Sequence, residues 1–276
     1  MTQGHVRGHG RRLAALAIAS TCSLVSSSAL ATPTYYIDEC TNYQNGNACD
    51  IVNVNTITAT LQSSLAADGW TGSRFTEFSA WPQDFWESCS SSYGTNGDDA
   101  YYSDTATLAV FAGHGNSHLL AFSSTGNGGT INGATSCNVD MTRNMRLGTM
   151  SGAQAAFGMW LVCDAVQSGE LGSNMWQSLR QQAGWQNSIS IGDNEPRDFY
   201  NATSAKTNVN AWLDQMSSGG RNAIVATFSS ASATDCWNVH NAAKLRGNVY
   251  DFPRNNGVGC GGGQALYYYC YSARQN

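Results

Sequence analysis

Two uninterrupted apolar runs stand out in the middle of the chain. The first lies within residues 107–112 and the second within residues 158–162. Short apolar runs that are bounded by glycine and polar residues are typical of strands buried on both faces of a sheet. The pattern therefore predicts two core strands.

The remaining pattern alternates between strand and helix periodicity. Apolar residues at helical spacing predict amphipathic helices over residues 56–67 and 206–216, and a third helix is expected around 174–183. Further strands are predicted at 35–37, 223–228 and 265–271, an antiparallel hairpin between residues 114 and 139, and an irregular connection at 192–201. This alternation favours one α/β domain over residues 32–276 with a mainly parallel central sheet.

A histidine follows one core strand and a cysteine follows the other. His114 lies in a Gly-His-Gly turn after the first apolar run, and Cys163 comes directly after the second. Because reaction sites in open α/β sheets lie at the carboxyl ends of strands, the two residues are expected to meet at one sheet edge. An imidazole beside a thiol favours the nucleophilic thiolate, and the N–H groups of Gly115 and Cys163 are candidate oxyanion donors.

These residues resemble the motif of the caspase-like cysteine peptidases, the group that includes caspases, metacaspases, legumain, clostripain and gingipain. Caspases place a His-Gly about 50 residues before the cysteine, and here His114 and Cys163 are 49 residues apart. The resemblance implies a three-layer α/β sandwich and peptide-bond hydrolysis, with His114 as general acid and base, Gly115 as oxyanion donor and Cys163 as nucleophile. It extends to secreted microbial proteins of unknown function on the same fold. Asp164 departs from the family pattern, in which glycine or Ser-Gly closely follows the cysteine in several members.

The first 31 residues predict export. Arg7, Arg11 and Arg12 precede a short apolar stretch, and a small-residue cleavage site follows at Ala29 to Ala31. We therefore expect a secreted or periplasmic protein with no membrane span. The whole chain carries a net charge of −5, and losing three arginines makes the mature chain more acidic. This balance argues against nucleic acid and anionic membrane surfaces as partners.

The cysteines predict disulfides and bear on the proposed chemistry. Of nine cysteines, Cys22 lies in the signal, and the even number that remains suggests pairing in an oxidising compartment. Neighbours in sequence, such as Cys40 with Cys49 and Cys260 with Cys270, are plausible pairs, although spacing leaves the connectivity open. If every cysteine is paired, Cys163 is not a nucleophile.

Other polar and aromatic residues leave alternatives open. Asp98, Asp99 and Asp104, like Asp193 and Glu195, belong either to an acidic solvated surface or to a pocket for a basic side chain. The aromatic region from Trp70 to Trp86 is expected to cover a sheet face rather than to stack on sugars. His240 is expected to be solvent-exposed or to cap a carbonyl. The glycines at 257, 259 and 262 predict a loop rather than a dinucleotide site.

Two functions remain from this pattern. The first is a secreted peptidase that acts on peptide or protein substrates without a metal or organic cofactor. The alternative is a non-catalytic secreted binding protein on the same scaffold, with Cys163 buried or in a disulfide and with Tyr267, Tyr268 and Tyr269 in a recognition surface. The pattern indicates no particular oligomeric state.

Overall fold

A seven-stranded sheet forms the centre of the molecule. The computed structural model describes residues 32–40, 54–88, 97–123, 126, 130–131, 134–147, 155–168, 179–248 and 268–276. The predicted signal at 1–31 and the glycine loop at 257–262 lie outside these residues. The strands, in chain order, are β1 (Thr34–Glu39), β2 (Thr71–Thr76), β3 (Leu108–Ala112), β4 (His114–Asn116), β5 (Leu119–Ala121), β6 (Thr130–Ile131), β7 (Ala134–Thr135), β8 (Asn138–Asp140), β9 (Phe157–Leu161), β10 (Gln181–Trp185), β11 (Asn222–Ser229) and β12 (Tyr268–Gln275). The helices are α1 (Val54–Ala67), α2 (Glu195–Ala202), α3 (Asn208–Met216) and α4 (Ala233–His240).

The order of strands in the central sheet is β12-β11-β10-β9-β3-β1-β2. The five strands from β2 to β10 run parallel, whereas β11 and β12 are antiparallel to their neighbours. The prediction of an α/β fold with a mainly parallel sheet is therefore confirmed. The hairpin expected after His114 is also present, because β4, β5 and β8 form a small antiparallel sheet.

Two apolar clusters cover the two faces of this sheet. Helices α1, α2 and α3 pack on one face, where Leu61, Phe199 and Trp212 are completely buried. The opposite face is covered by Phe85 and Trp86 after a short 3-10 turn, and by side chains of the small sheet such as Leu120. Rings of the aromatic region thus lie mainly in the core, as expected, although Phe78 is half exposed.

Two local predictions were wrong. The helix expected at 174–183 is instead strand β10 from residue 181, and residues 169–178 lie outside the described part. The buried amides explain the strand: Gln181 donates to Thr227 Oγ1 at 3.0 Å, and Gln182 accepts from Trp160 Nε1 at 2.8 Å. The irregular segment expected at 192–201 contains helix α2, whose Pro196 and acidic first turn are helix-start signals.

Candidate functional site

The register between β3 and β9 brings His114 and Cys163 to one edge of the sheet. Ala112 pairs with Leu161 in this parallel ladder, so His114 and Cys163 each lie two residues beyond the same pair. The N–H of Gly113 donates to the carbonyl of Leu161 at 3.3 Å and continues the contact past the strand ends. The edge predicted from the apolar runs is therefore formed by these two strands.

Gly115 lies against the residue that precedes the cysteine. A Cβ on Gly115 would lie 2.6 Å from Cγ2 of Val162 and 2.6 Å from the carbonyl oxygen of Leu119. Gly115 faces Leu120 across the β4–β5 hairpin. In an antiparallel ladder with a two-residue turn, this position falls on a pair that exchanges no hydrogen bonds, so the Gly115 N–H points out of the hairpin. Glycine is required here because of close packing.

The thiol of Cys163 is half-buried and free. Its Sγ accepts a hydrogen bond from the backbone N–H of Ile189 at 3.4 Å, and it lies 3.9 Å from the Ile189 carbonyl oxygen. Ile189 belongs to the loop after β10, the next strand in the sheet. A main-chain donor aimed at the sulfur stabilises negative charge that develops there. Sequence reasoning missed Ile189 because a backbone N–H leaves no mark on residue identity.

The chain turns sharply directly after Cys163. Asp164 has φ of 53°, in the left-handed region that costs a non-glycine residue energy. Its N–H donates to the carbonyl of Asn187 at 3.3 Å, and its carbonyl accepts from the N–H of His118 at 3.4 Å. The hairpin and the loop after β10 thus hold this turn from both sides. Such backbone outliers concentrate at functional sites.

His114 is half-buried, and its Nε2 atom is shielded from solvent. Within the described part of the chain, no direct hydrogen bond joins its imidazole to the thiol of Cys163. Proton transfer between the two would therefore pass through a water molecule or the substrate, and catalytic hydrogen bonds commonly tighten once substrate binds. His114 and Cys163 thus share one edge of the sheet but do not form a direct thiolate–imidazolium ion pair in this structure.

The second histidine of the hairpin contacts a carboxylate. His118 occupies the β4–β5 turn with φ of 70°, and its Nε2 lies 3.8 Å from Oδ1 of Asp140. Among the described residues, no group of three or more His, Cys, Asp or Glu side chains is arranged to hold a metal ion.

Two of the acidic residues considered in the sequence analysis are buried instead of lying on a solvated surface. Asp99 and Asp104 are completely buried. Burial, followed by the charges of Asp104 and Glu87, raises the pKa of Asp99 to about 9. The interior position of Asp99 is held by two backbone donors, the N–H groups of Ser88 and Ala100, at 2.8 and 2.9 Å. An alternating apolar pattern gives no signal for such buried carboxylates.

Glu195 takes part in an ion pair instead of presenting a bare carboxylate. Its two oxygens accept from both terminal nitrogens of Arg221, each at 2.7 Å.

His240 is placed differently from the prediction of solvent exposure. It is 1% exposed and lies between Thr227 Oγ1 at 2.8 Å and Ser272 Oγ at 2.9 Å. Burial lowers the pKa of His240 to about 4, so it stays neutral.

One cysteine pairing expected from sequence was wrong. Cys270 forms a disulfide with Cys236, which ties the edge strand β12 to helix α4, rather than with Cys260. Cys49, Cys89 and Cys260 lie outside the described residues. The bond across 34 positions arises because α4 returns along the edge of the sheet, and sequence proximity does not reveal this path.

Comparison with known proteins adds no family assignment to this geometry. Among the described residues, no helix combines the length and apolarity needed to cross a membrane. No protein-family model matches the chain, and no curated protein is significantly similar to it.

Proposed function

We propose that this chain is an exported cysteine peptidase that hydrolyses peptide bonds through Cys163 and His114. One observation carries the proposal: the Ala112–Leu161 register pair puts both residues two positions beyond the ends of neighbouring parallel strands. The thiol is free and half-exposed, as a nucleophile requires. The caspase-like resemblance predicts this juxtaposition of a histidine and a cysteine.

The reaction follows from the groups at this edge. The Cys163 thiol gives its proton to His114 through a water molecule or the substrate, and the sulfur attacks the carbonyl carbon of the scissile bond. The N–H groups of Gly115 and Cys163 are the candidates to stabilise the oxyanion that forms. The C–N bond breaks as His114 protonates the leaving amine, which leaves a thioester. Water then attacks this thioester while His114 accepts its proton, and the acid product departs as the thiol is restored.

Export is part of the proposal. The signal pattern in residues 1–31 supports it, and so does the Cys236–Cys270 disulfide, because disulfides persist mainly in oxidising compartments. Both observations favour a secreted or periplasmic site of action.

The test uses a peptide chloromethyl ketone, in which the sulfur of a reactive cysteine displaces chloride and forms a thioether. We expect Cys163 of the native protein to be modified at neutral pH, and the His114→Ala variant to be modified at least tenfold more slowly, as expected for a lost general base. Cys137 is the internal control, because it is also free and half-buried but belongs to no candidate dyad. Equal rates at Cys163 and Cys137, or no effect of His114→Ala at Cys163, would contradict the proposal.

A binding function has support from exposed aromatic rings at the edge of the sheet. Tyr268, Tyr269 and Tyr271 on the edge strand β12, together with Trp237 on α4, are between 43% and 48% exposed. Tyr267 lies outside the described residues. Exposed aromatic rings are common in recognition surfaces. Folded protein whose Cys163 reacts no faster than Cys137 would favour this second function.

A further inference from the structure

A surface pocket opens beside the candidate nucleophile. Its volume is about 510 Å³. Ile189 belongs both to its wall and to the site, because its main chain contacts the sulfur of Cys163. The other walls come from the loop after β10 and from the turn before β11; the pocket is lined by Ser188, Ile189, Ser190, Ser218, Gly219 and Arg221.

Arg221 is the charged residue in the described part of this lining, and each of its five guanidinium N–H groups donates a hydrogen bond to an acceptor of the protein. Arg221 is 8% exposed, and its two terminal nitrogens bind the carboxylate of Glu195 at 2.7 Å each. Its remaining three N–H groups donate to the carbonyl and hydroxyl oxygens of Ser218, at 2.7 and 2.6 Å, and to the carbonyl of Ser190 at 3.3 Å. No guanidinium donor is left for a ligand, and the positive charge is neutralised.

The side chain and main chain of Asn187 connect both walls of the pocket to the turn after Cys163. Asn187 donates to the carbonyl of Gly220 at 3.0 Å and accepts from the N–H of Asn222 at 2.8 Å. The same residue accepts from the N–H of Asp164, the neighbour of Cys163. Asn187 therefore joins the pocket to the site: its main chain binds Asp164, and its side chain binds the main chain of the turn before β11.

We propose that this pocket receives the substrate side chain next to the scissile bond and selects for an uncharged one. The Arg221–Glu195 pair is the specificity determinant. This inference rests on the proposed peptidase function and names its substrate class. A cationic side chain would find no carboxylate among the described lining residues, and an anionic one would find every donor of Arg221 already used. The hydroxyls of Ser188 and Ser190 suit a neutral or hydrogen-bonding side chain.

The experiment measures the rate at which Cys163 is labelled by four chloromethyl ketones that differ at the residue beside the reactive carbonyl: alanine, glutamine, glutamate or lysine. For the native protein we expect alanine and glutamine probes to react roughly tenfold faster than the charged ones. Faster reaction with either charged probe than with both neutral probes would overturn the inference.

Two variants change the pocket charge in opposite directions. Glu195→Gln leaves the charge of Arg221 unbalanced and should raise the glutamate-to-glutamine rate ratio roughly tenfold, whereas Arg221→Gln should raise the lysine-to-glutamine ratio by a similar factor. The matched control is Asp198→Asn, which removes a carboxylate from the same helix but from an outward pair with Arg197. It should leave both ratios unchanged.

The outcomes separate this inference from the function on which it rests. If no probe modifies Cys163 of the native protein while Cys137 still reacts, the peptidase proposal fails and the substrate assignment fails with it. If Cys163 reacts but neither variant changes its charge ratio, the peptidase stands and the specificity assignment is wrong. If the Arg221–Glu195 pair has only a structural role, its loss should slow all four probes equally. Thermal unfolding of each variant checks that the variant is folded.

Discussion

The backbone N–H of Ile189 donates to the Sγ of Cys163 across 3.4 Å. Ile189 follows β10, which lies on the opposite side of β9 from β3, the strand that precedes His114. The sulfur is therefore bounded by the histidine edge on one side and by a main-chain donor on the other. Such a donor stabilises negative charge on sulfur, so the loop after β10 contributes to the site without a reactive side chain.

Replacing Ile189 with proline tests this donor. Proline has no N–H, and the loss of a hydrogen bond to a charged group costs about 1.5–3 kcal/mol. We expect the labelling of Cys163 by a peptide chloromethyl ketone at fixed pH to slow about tenfold or more, whereas Ile189→Val, which keeps the N–H, should react like the native protein. Unchanged labelling of folded Ile189→Pro would show that the N–H contributes nothing.

The left-handed backbone of Asp164 predicts a specific order of stabilities. Its φ of 53° disfavours β-branched residues most, while asparagine and glycine tolerate it. Asp164→Val should lower the free energy of unfolding by about 1–2 kcal/mol relative to Asp164→Asn. Urea denaturation measures the difference, and equal stability of these two variants would argue against a strained turn after Cys163.

Close packing at Gly115 predicts a further loss. A methyl group there would lie 2.6 Å from both Val162 Cγ2 and the Leu119 carbonyl oxygen. Gly115→Ala should therefore destabilise the protein by about 1–3 kcal/mol, as other overpacked positions do, and should slow the labelling of the adjacent Cys163. Gly247→Ala is the control, because its nearest contact would be Lys244 Cβ at an ordinary 3.7 Å. Equal stability of the two alanine variants would contradict the close approach.

The central strands were predictable because burial on both faces leaves an uninterrupted apolar run. The run before Cys163 ends at Val162, one residue beyond the strand β9 that the structure defines. Strand β10 escaped prediction because its sequence, QQAGW, has no such run. Its glutamines are buried, and distant residues form hydrogen bonds with their side chains; for example, Asn208 Nδ2 donates to Gln181 Oε1 at 2.8 Å. A local pattern does not contain these partners.

In the candidate site, the positions of the two proposed catalytic residues were predictable for the same reason. His114 and Cys163 are identified by their positions at the ends of apolar strands, and their register follows from parallel pairing. The Arg221–Glu195 pair joins the first residue of α2 to the turn before β11, 26 positions further along the chain, and a local pattern does not reveal such a distant contact. Asp38 is buried beside a hydroxyl of its own strand, that of Tyr36, which also contacts Asp84 in a distant turn.

A single hydroxyl links two buried carboxylates beneath the sheet. The phenol oxygen of Tyr36 lies 2.8 Å from Asp38 Oδ1 and 2.7 Å from Asp84 Oδ2. The phenol has one proton and satisfies one carboxylate at a time, so the second contact requires a proton on a carboxyl group. Burial raises the pKa of Asp84 to about 6, and burial followed by the charge of Asp84 raises the pKa of Asp38 well above its ordinary value.

These shifts predict that stability declines as the pH rises. Because the pKa of Asp84 is raised on folding, its contribution is fully present below about pH 4, the unfolded value, and is lost as the pH rises through about 6. The shift corresponds to about 3 kcal/mol between these limits. Asp84→Asn, which stays neutral, should flatten the fall in the free energy of unfolding between pH 4 and pH 8. The exposed carboxylate of Asp193 provides the control, since Asp193→Asn should keep the native slope. Urea denaturation across this range measures both, and a slope in Asp84→Asn as steep as in the native protein would mean that this buried carboxylate holds no proton on folding.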